Sequence, residues 1–308
     1  MGLINKNQKI MKNQRKKQKI LITGGDGSLG QALMSRLKKE GHEVKSYDLV
    51  QGKDLLNREQ LEKAVQGKDT VFHLAAVADL NISRENPLKN MDINVLGTIN
   101  VAEACWKAGA TLYYASTCCV YGNQKTHPSD ENSLPNPTEI YACSKLAGEY
   151  VILGYARTCG LKYNIMRLAT FYGPGMRPAL AVYIFLDQAI KGESITIHGD
   201  GSQTRTFTHI DDIVDGMMSL FNSGIENETV NITTEEEVSI LDMAKMIKEI
   251  TKSGSEIVFI PQRPGQILKE EILAQKAKKL FGWQAKTSFR EGLEKTYKWF
   301  LEKDNSPD

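Results

Sequence analysis

No apolar run in the 308-residue chain approaches the ~18 residues that a membrane-spanning helix needs, so no membrane partner is expected. The N-terminus has no compact apolar stretch of the kind a secretory signal carries. The five cysteines, Cys105, Cys118, Cys119, Cys143 and Cys159, form no C-x-x-C pair and no disulfide-like spacing, which predicts a reducing, cytoplasmic setting. The five histidines form no cluster at zinc-ligand spacing, so no metal is expected. Charge of either sign is nearly balanced, at a net +2. Lys6, Lys9, Lys12, Arg15, Lys16, Lys17 and Lys19 crowd the first stretch without an acid, and the rest of the chain is net acidic. The body therefore has no global basic character, and nucleic acid is not an expected partner. Residues 1–18 read as a solvated, disordered leader. The composition of the whole chain, 41% apolar and 25% charged, is that of a soluble globular protein with ample core.

The first half alternates strand-like and helix-like segments. Strand patterns at 19–23, 42–48, 69–76, 110–116 and 161–169 alternate with helical patterns at 28–40, 58–66, 91–109 and 139–160. Such alternation predicts an α/β fold with a parallel, doubly wound sheet covered on both faces. Beyond Arg167 the alternation loosens. A loop and helix at 173–193, a short strand in ESITIHGDG, and helices at 209–224, 239–250 and 288–303 read as a smaller lobe. The predicted organisation is a dinucleotide-binding domain over 19–167 and a substrate-binding lobe over 168–308, interleaved with the last strands of the sheet.

GGDGSLG, residues 24–30, joins the first strand to the first helix. Gly24, Gly27 and Gly30 make G-x-x-G-x-x-G, a turn that lets backbone N–H groups and a helix N-terminus meet a pyrophosphate. Asp48 lies at the end of the second strand, where a carboxylate can hold the adenosine ribose. Leu49, Val50 and Gln51 follow without an arginine for a 2′-phosphate, which favours NAD over NADP. YACSK places Tyr141 and Lys145 at i, i+4, on one helix face. For a tyrosine to act as a base at neutral pH, its pKa must fall by about 3 units, or about 4 kcal/mol. A nearby ammonium and a positively charged nicotinamide both favour the phenolate. Thr117, in ASTCCVYG, stands at a strand end, where parallel sheets bind ligands. There it can hydrogen-bond a substrate hydroxyl and the Tyr141 oxygen. A non-catalytic NAD-sensing protein would keep the glycine turn but would not need Thr117, Tyr141 and Lys145 together.

With GGDGSLG, HLAA (73–76), NVLGT (94–98), STCCVYG, YACSK, RLATFYGPG (167–175) and GDGSQTRTFTHIDDI (199–213), the sequence resembles the extended short-chain dehydrogenase/reductases, in particular the NAD-dependent nucleotide-sugar epimerases and dehydratases such as UDP-glucose 4-epimerases. The resemblance covers about residues 19–270. It implies a Rossmann-type sheet holding NAD, a smaller mixed C-terminal lobe gripping a nucleoside-diphosphate sugar, and a homodimer made by pairing two helices from each copy. It also implies site residues. Thr117, Tyr141 and Lys145 would be catalytic. Gly24, Gly27, Ser28, Leu29, Gly30, Asp48, Asp54, Leu55, Leu74, Ala75, Ala76, Asn94 and Ser116 would surround the cofactor, together with Tyr141 and Lys145. Thr117, Thr170, Arg177, Arg205 and Arg263 would meet the substrate, Arg205 and Arg263 at its diphosphate, for which guanidinium forks are suited.

Two departures from the family pattern bear on the reaction. Sugar 4,6-dehydratases carry an Asp-Glu pair after the threonine, and nucleotide-sugar decarboxylases a glutamate at the second of these positions. Here the two residues are Cys118 and Cys119. GDP-fucose synthase-type 3,5-epimerase/reductases have a cysteine at the second position, but they use NADPH and need a histidine after the Y-G-P step, which GPGMRPALAVYIFLDQA does not provide. A 4-epimerase remains, with a net NAD-dependent oxidoreductase as the alternative. Thr170 replaces an asparagine that contacts substrate in many members, so the sugar or its pose is expected to be unusual.

Overall fold

The computed structural model describes residues 17–304 except Pro264, so the leader expected over 1–18 lies, up to residue 16, outside the described residues. In chain order the strands are β1 (Lys19–Thr23), β2 (Glu43–Tyr47), β3 (Thr70–His73), β4 (Thr111–Thr117), β5 (Tyr163–Leu168), β6 (Phe171–Tyr172), β7 (Ile195–His198), β8 (Thr204–Arg205), β9 (Thr208–His209), β10 (Glu228–Ile232), β11 (Val238–Ser239) and β12 (Ile257–Ile260). The helices are α1 (Ser28–Lys39), α2 (Arg58–Val65), α3 (Leu80–Glu85), α4 (Pro87–Met91), α5 (Gly97–Ala108), α6 (Ile140–Cys159), α7 (Ala181–Lys191), α8 (Ile210–Ser223), α9 (Ile240–Thr251), α10 (Gln275–Phe281) and α11 (Phe289–Asp304).

Successive side chains of a strand point to opposite faces, so a strand that is apolar throughout needs a cover on each side. In β1, Ile20 and Ile22 enter one apolar cluster and Leu21 the opposite one. The same division separates Tyr113 from Tyr114 in β4 and Met166 from Ile165 in β5. Leu29, Leu33 and Leu37 recur at every fourth residue of α1 and cover the first face, beside Ile213, Met217 and Phe221 of α8. Leu61 and Val65 of α2 and Val101 and Cys105 of α5 cover the second. Each such aliphatic burial contributes roughly 1.5–3 kcal/mol. The result is one parallel six-stranded sheet in the order β2-β1-β3-β4-β5-β10, the Rossmann-type architecture. Connections from β1 and β3 leave in opposite directions, which opens a crevice at the carboxyl ends of these strands.

The lobe has its own core, where Phe185 of α7, Ile197 of β7, Met243 of α9 and Phe300 of α11 meet. Its pairings are short: β7 with β12, β8 with β11, β6 with β9. The chain enters this lobe after β5, returns to the sheet with α8 and β10, and goes back to the lobe with β11, α9 and β12. It crosses to the sheet once more at α10, whose Ala277 and Phe281 join the sheet's core, and ends in the lobe with α11.

Several elements differ from the sequence expectation. The helix expected over 91–109 is a π-helical turn, Asp92–Leu96, followed by α5. Strands β6, β8, β9, β10, β11 and β12 and the short helices α3, α4 and α10 add to the predicted set. No described helix is long and apolar enough to cross a membrane. Among the described residues no three His, Cys, Asp or Glu side chains gather as metal ligands.

Candidate active site

The glycine turn between β1 and α1 is closed by contacts that only glycine permits. Gly24 has φ +70°, and a Cβ there would stand 2.7 Å from the Ala75 nitrogen. A Cβ on Gly30 would stand 2.3 Å from the Gly24 oxygen. A Cβ on Gly27 would meet only the Gly24 oxygen, at 3.4 Å, an ordinary contact. It precedes α1, and no side chain caps that helix. The first-turn N–H groups, including that of Ser28, are thus left for an anion, and a pyrophosphate fits there. Asp48 binds this turn to the end of β2: its carboxylate accepts from the Asp26 nitrogen (3.0 Å) and the Val50 nitrogen (3.2 Å). Asp26 adds a second carboxylate, which accepts from Ser46 (3.2 Å) and Gln51 (2.6 Å). Lys53 at the same corner donates to the Ser46 carbonyl and the Gln51 side chain. Two carboxylates suit a ribose diol and oppose a 2′-phosphate.

The other residues expected near the cofactor have these surroundings. Leu29 and Leu55 are buried in the two cores. Asp54 accepts from the Leu56 nitrogen at 2.9 Å. Leu74, Ala75 and Ala76 follow β3 and pass beside the glycine turn, with Ala75 against Gly24. Asn94 spends its buried amide on both backbone groups of Val77 (2.8 and 3.0 Å) and on Ser144 of α6 (2.9 Å). Ser116 donates to Glu149 and is buried.

A cleft of about 300 Å³ brings Ser28, Thr117, Cys119, Tyr141, Thr170, Arg177, Arg205 and Arg263 to one wall-to-wall space. Tyr141 lies in the first turn of α6, with Lys145 one turn on. Thr117 ends β4. Its hydroxyl accepts from the Cys119 nitrogen (3.2 Å) and hydrogen-bonds the Tyr141 phenol. Burial, with a contribution from Cys119, holds the Tyr141 phenol well above its usual range, while Arg177 and Thr117 pull it down. Lys145 is 2% exposed, and its ammonium lies 4.2 Å above the Tyr114 ring. Burial lowers its pKa to about 7, and Glu149 opposes that fall. Beneath it His73 is held neutral, its pKa pushed down to about 3 by burial and by the Lys145 charge. His73 bridges Thr23 of β1 (2.7 Å) and Thr98 of α5 (3.0 Å). Burial, with Glu270 adding to it, pushes the Cys119 thiol up to about 11, so it stays protonated at neutral pH. Arg205 donates to the Thr204 carbonyl at 2.7 Å, and Arg263 is exposed on the cleft rim.

Sequence reasoning did not anticipate that Arg177 stands close enough to Tyr141 to favour its phenolate. That proximity depends on the loop after β6, where a Cβ on Gly175 would lie 3.2 Å from the Ser28 Cβ. Nor did it anticipate the buried pair of Glu149 and Arg167 behind the site, although Glu149 follows Tyr141 by eight residues, two turns along one helix face.

An anion-binding turn at the switch point of a parallel sheet, opening on a phenol–lysine pair, is the apparatus of a dinucleotide-dependent enzyme. The chain belongs to the NAD dependent epimerase/dehydratase family, which it matches over residues 20–233. NAD, expected from the Asp48 corner, is the cofactor of that family. The chain is 33% identical to UDP-glucuronic acid decarboxylase 1 of Danio rerio, over 94% of this chain and 74% of that protein. Its fold is similar to that of the UDP-glucose 4-epimerase of Thermotoga maritima solved with UDP-glucose (TM-score 0.89, 31% identity, 94% of this chain and 100% of that one). It is also similar to that of the UDP-glucuronic acid 4-epimerase of Bacillus cereus in complex with UDP-glucuronic acid and NAD (TM-score 0.86, 29% identity, 92% and 99%).

Proposed function

We propose that the protein interconverts the C4 epimers of a nucleoside-diphosphate sugar through a transient 4-keto sugar. NAD supplies the hydride acceptor and donor. Tyr141 takes the proton of the sugar 4-hydroxyl, Thr117 orients that hydroxyl, and the Lys145 ammonium favours the phenolate. Arg205 and Arg263 hold the diphosphate across the cleft. The observation that carries this reading is the meeting of Thr117 and Tyr141 at a cleft, with Lys145 buried one helical turn beyond Tyr141, where Cys119, a protonated thiol, stands in the position that the family resemblance gives to the decarboxylases' glutamate.

The side chain of Arg177 supports a uronic acid as the sugar. A guanidinium beside Tyr141 stands beside the reacting C4, and C4 is two bonds from a C6 carboxylate. Relatives named for UDP-glucuronic acid accord with this. A 4-keto uronate is a β-keto acid, prone to lose CO2. An arginine bound to the carboxylate stabilises the charge that decarboxylation would remove. We also propose a homodimer in which α5 and α6 of two copies pair, a reading supported by exposed Leu96, Trp106 and Tyr150 on that side.

Proton NMR of UDP-glucuronic acid and UDP-glucose, each mixed with enzyme and trace NAD, tests the reaction. Signals of the 4-epimer without stoichiometric NADH are expected, faster for the uronate. Release of CO2 with a pentose product would replace epimerisation with decarboxylation, and NADH accumulating with the sugar oxidised would make the enzyme a net oxidoreductase.

A further inference from the structure

After β12 the chain runs along the cleft as an irregular segment, residues 262–269, fixed at both ends. At its start the Ile260 carbonyl accepts from the Gly199 nitrogen (2.9 Å), and His198 Nδ1 donates to the Pro261 carbonyl (3.0 Å). At its end the buried Glu270 accepts from the Thr206 hydroxyl (3.1 Å), and the Glu271 carbonyl accepts from the Ser129 nitrogen (2.8 Å). Between these ends Arg263, Gln266 and Ile267 line the cleft. Three backbone groups of this stretch meet side chains of the loop that follows β4. Asn123 Nδ2 donates to the Gln266 carbonyl (3.2 Å), and Asn123 Oδ1 accepts from the Leu268 nitrogen (2.8 Å). Thr138 Oγ1 donates to the Gly265 carbonyl (3.1 Å). A side-chain amide carries a donor and an acceptor side by side, so Asn123 meets the segment as a peptide unit of a neighbouring strand would. Its two bonds bracket Ile267, which is 7% exposed. Asn123 is itself held, its carbonyl accepting from Asn136 Nδ2 (3.2 Å). Neither Asn123 nor Thr138 lines the cleft, and both are exposed. Hydrogen bonds at such positions compete with water and contribute little to the stability of the fold. What they restrict is the freedom of the segment that they pin.

We propose that Asn123 and Thr138 are positioning residues that hold segment 263–268 in the shape that receives the nucleoside-diphosphate sugar. Ordering a loop on binding subtracts from affinity, and a loop already ordered binds more tightly for the same contacts. With both side chains in place, Arg263, Gln266 and Ile267 stand on the cleft wall before the ligand arrives. The two pins belong to the loop that joins Thr117 to Tyr141: Asn123 follows Thr117 by six residues and Thr138 precedes Tyr141 by three. The segment is therefore fixed relative to the reacting end of the cleft, not only to the lobe that it comes from. The glycine turn between β1 and α1, which suits the pyrophosphate of NAD, takes part in none of these bonds.

The inference rests on the reading of the cleft as a nucleotide-sugar site, and its test has one arm that needs no sugar. Hydrogen exchange of the unliganded, NAD-bound protein reads the segment directly: in Asn123→Ala/Thr138→Val the peptide containing Leu268 should exchange faster than in wild type. Calorimetric titration with UDP-glucuronic acid and with UDP reads the consequence. The double variant should bind both about ten-fold more weakly, with NAD affinity and the urea midpoint unchanged. Thr138→Ser, which keeps the hydroxyl, should remain near wild type, while Thr138→Val should not. Unchanged exchange in the double variant would overturn the positioning whatever the ligand. Faster exchange with undiminished ligand affinity, or NAD affinity falling in the same proportion, would overturn the link to the substrate. Wild-type protein that binds neither ligand would overturn the reading of the cleft, and the link to the substrate with it.

Discussion

At Tyr141 burial and the neighbouring Cys119 oppose the phenolate, while Thr117 and Arg177 favour it. The side chain is therefore poised by opposing groups, and the positive ring of bound NAD would add to the favourable side. Replacing Tyr141 by Phe should lower turnover by about 100-fold or more, with NAD affinity unchanged in a calorimetric titration. Equal turnover in the variant would remove Tyr141 from the mechanism. The placement of Thr117, Tyr141 and Lys145 on their elements was legible because they carry their spacing in the sequence: a strand-end threonine, and a tyrosine and lysine one helical turn apart. Arg177 was expected only as a substrate contact. Its closeness to Tyr141 depends on the path of the loop after β6, which no local pattern encodes. The partners of Asn94 and Ser116 were equally hidden: Val77, Ser144 and Glu149 lie far off in sequence.

At the level of elements, α6 is the part whose placement matters most, and Gly148 sets its distance from the sheet. A Cβ there would stand 2.3 Å from the Tyr114 hydroxyl, which itself donates to the Lys145 carbonyl at 3.2 Å. Alanine improves helix propensity by about 1 kcal/mol, but Tyr114 is fully buried and its ring cannot swing away. Overpacking of this kind costs about 1–3 kcal/mol, so Gly148→Ala should lower both the urea midpoint and kcat. A variant at least as stable as wild type would show that the helix and ring yield easily. The long elements were readable from their apolar periods. α3 and α4 were not, because helices of six and five residues are too short to show one. Their caps are nonetheless in the sequence: Asp79 accepts from the Asn81 and Ile82 nitrogens, and Asn86 with Pro87 starts α4. β10 escaped because its five residues follow an acidic, turn-like stretch and pair only with β5, far earlier in the chain.

For the whole molecule, the proposed homodimer makes a prediction separable from catalysis. Sedimentation of the wild-type chain should give twice the monomer mass, and Tyr150→Glu, on the 62%-exposed side chain at that face, should give the monomer. A monomeric wild type would discard the α5–α6 pairing. The order of the two halves could be read from the loss of alternation after Arg167, but the number of crossings between them could not. The chain passes from sheet to lobe, back through α8 and β10, out through α9 and β12, back again through α10, and out once more to α11. A lobe threaded in this way is no cassette. It cannot be exchanged at a single junction for the lobe of a relative, because any single cut leaves part of the sheet on the wrong side. New substrates must therefore be reached by changing individual residues along the cleft wall, such as Cys119, Thr170 and Arg177, while the threaded frame stays in place.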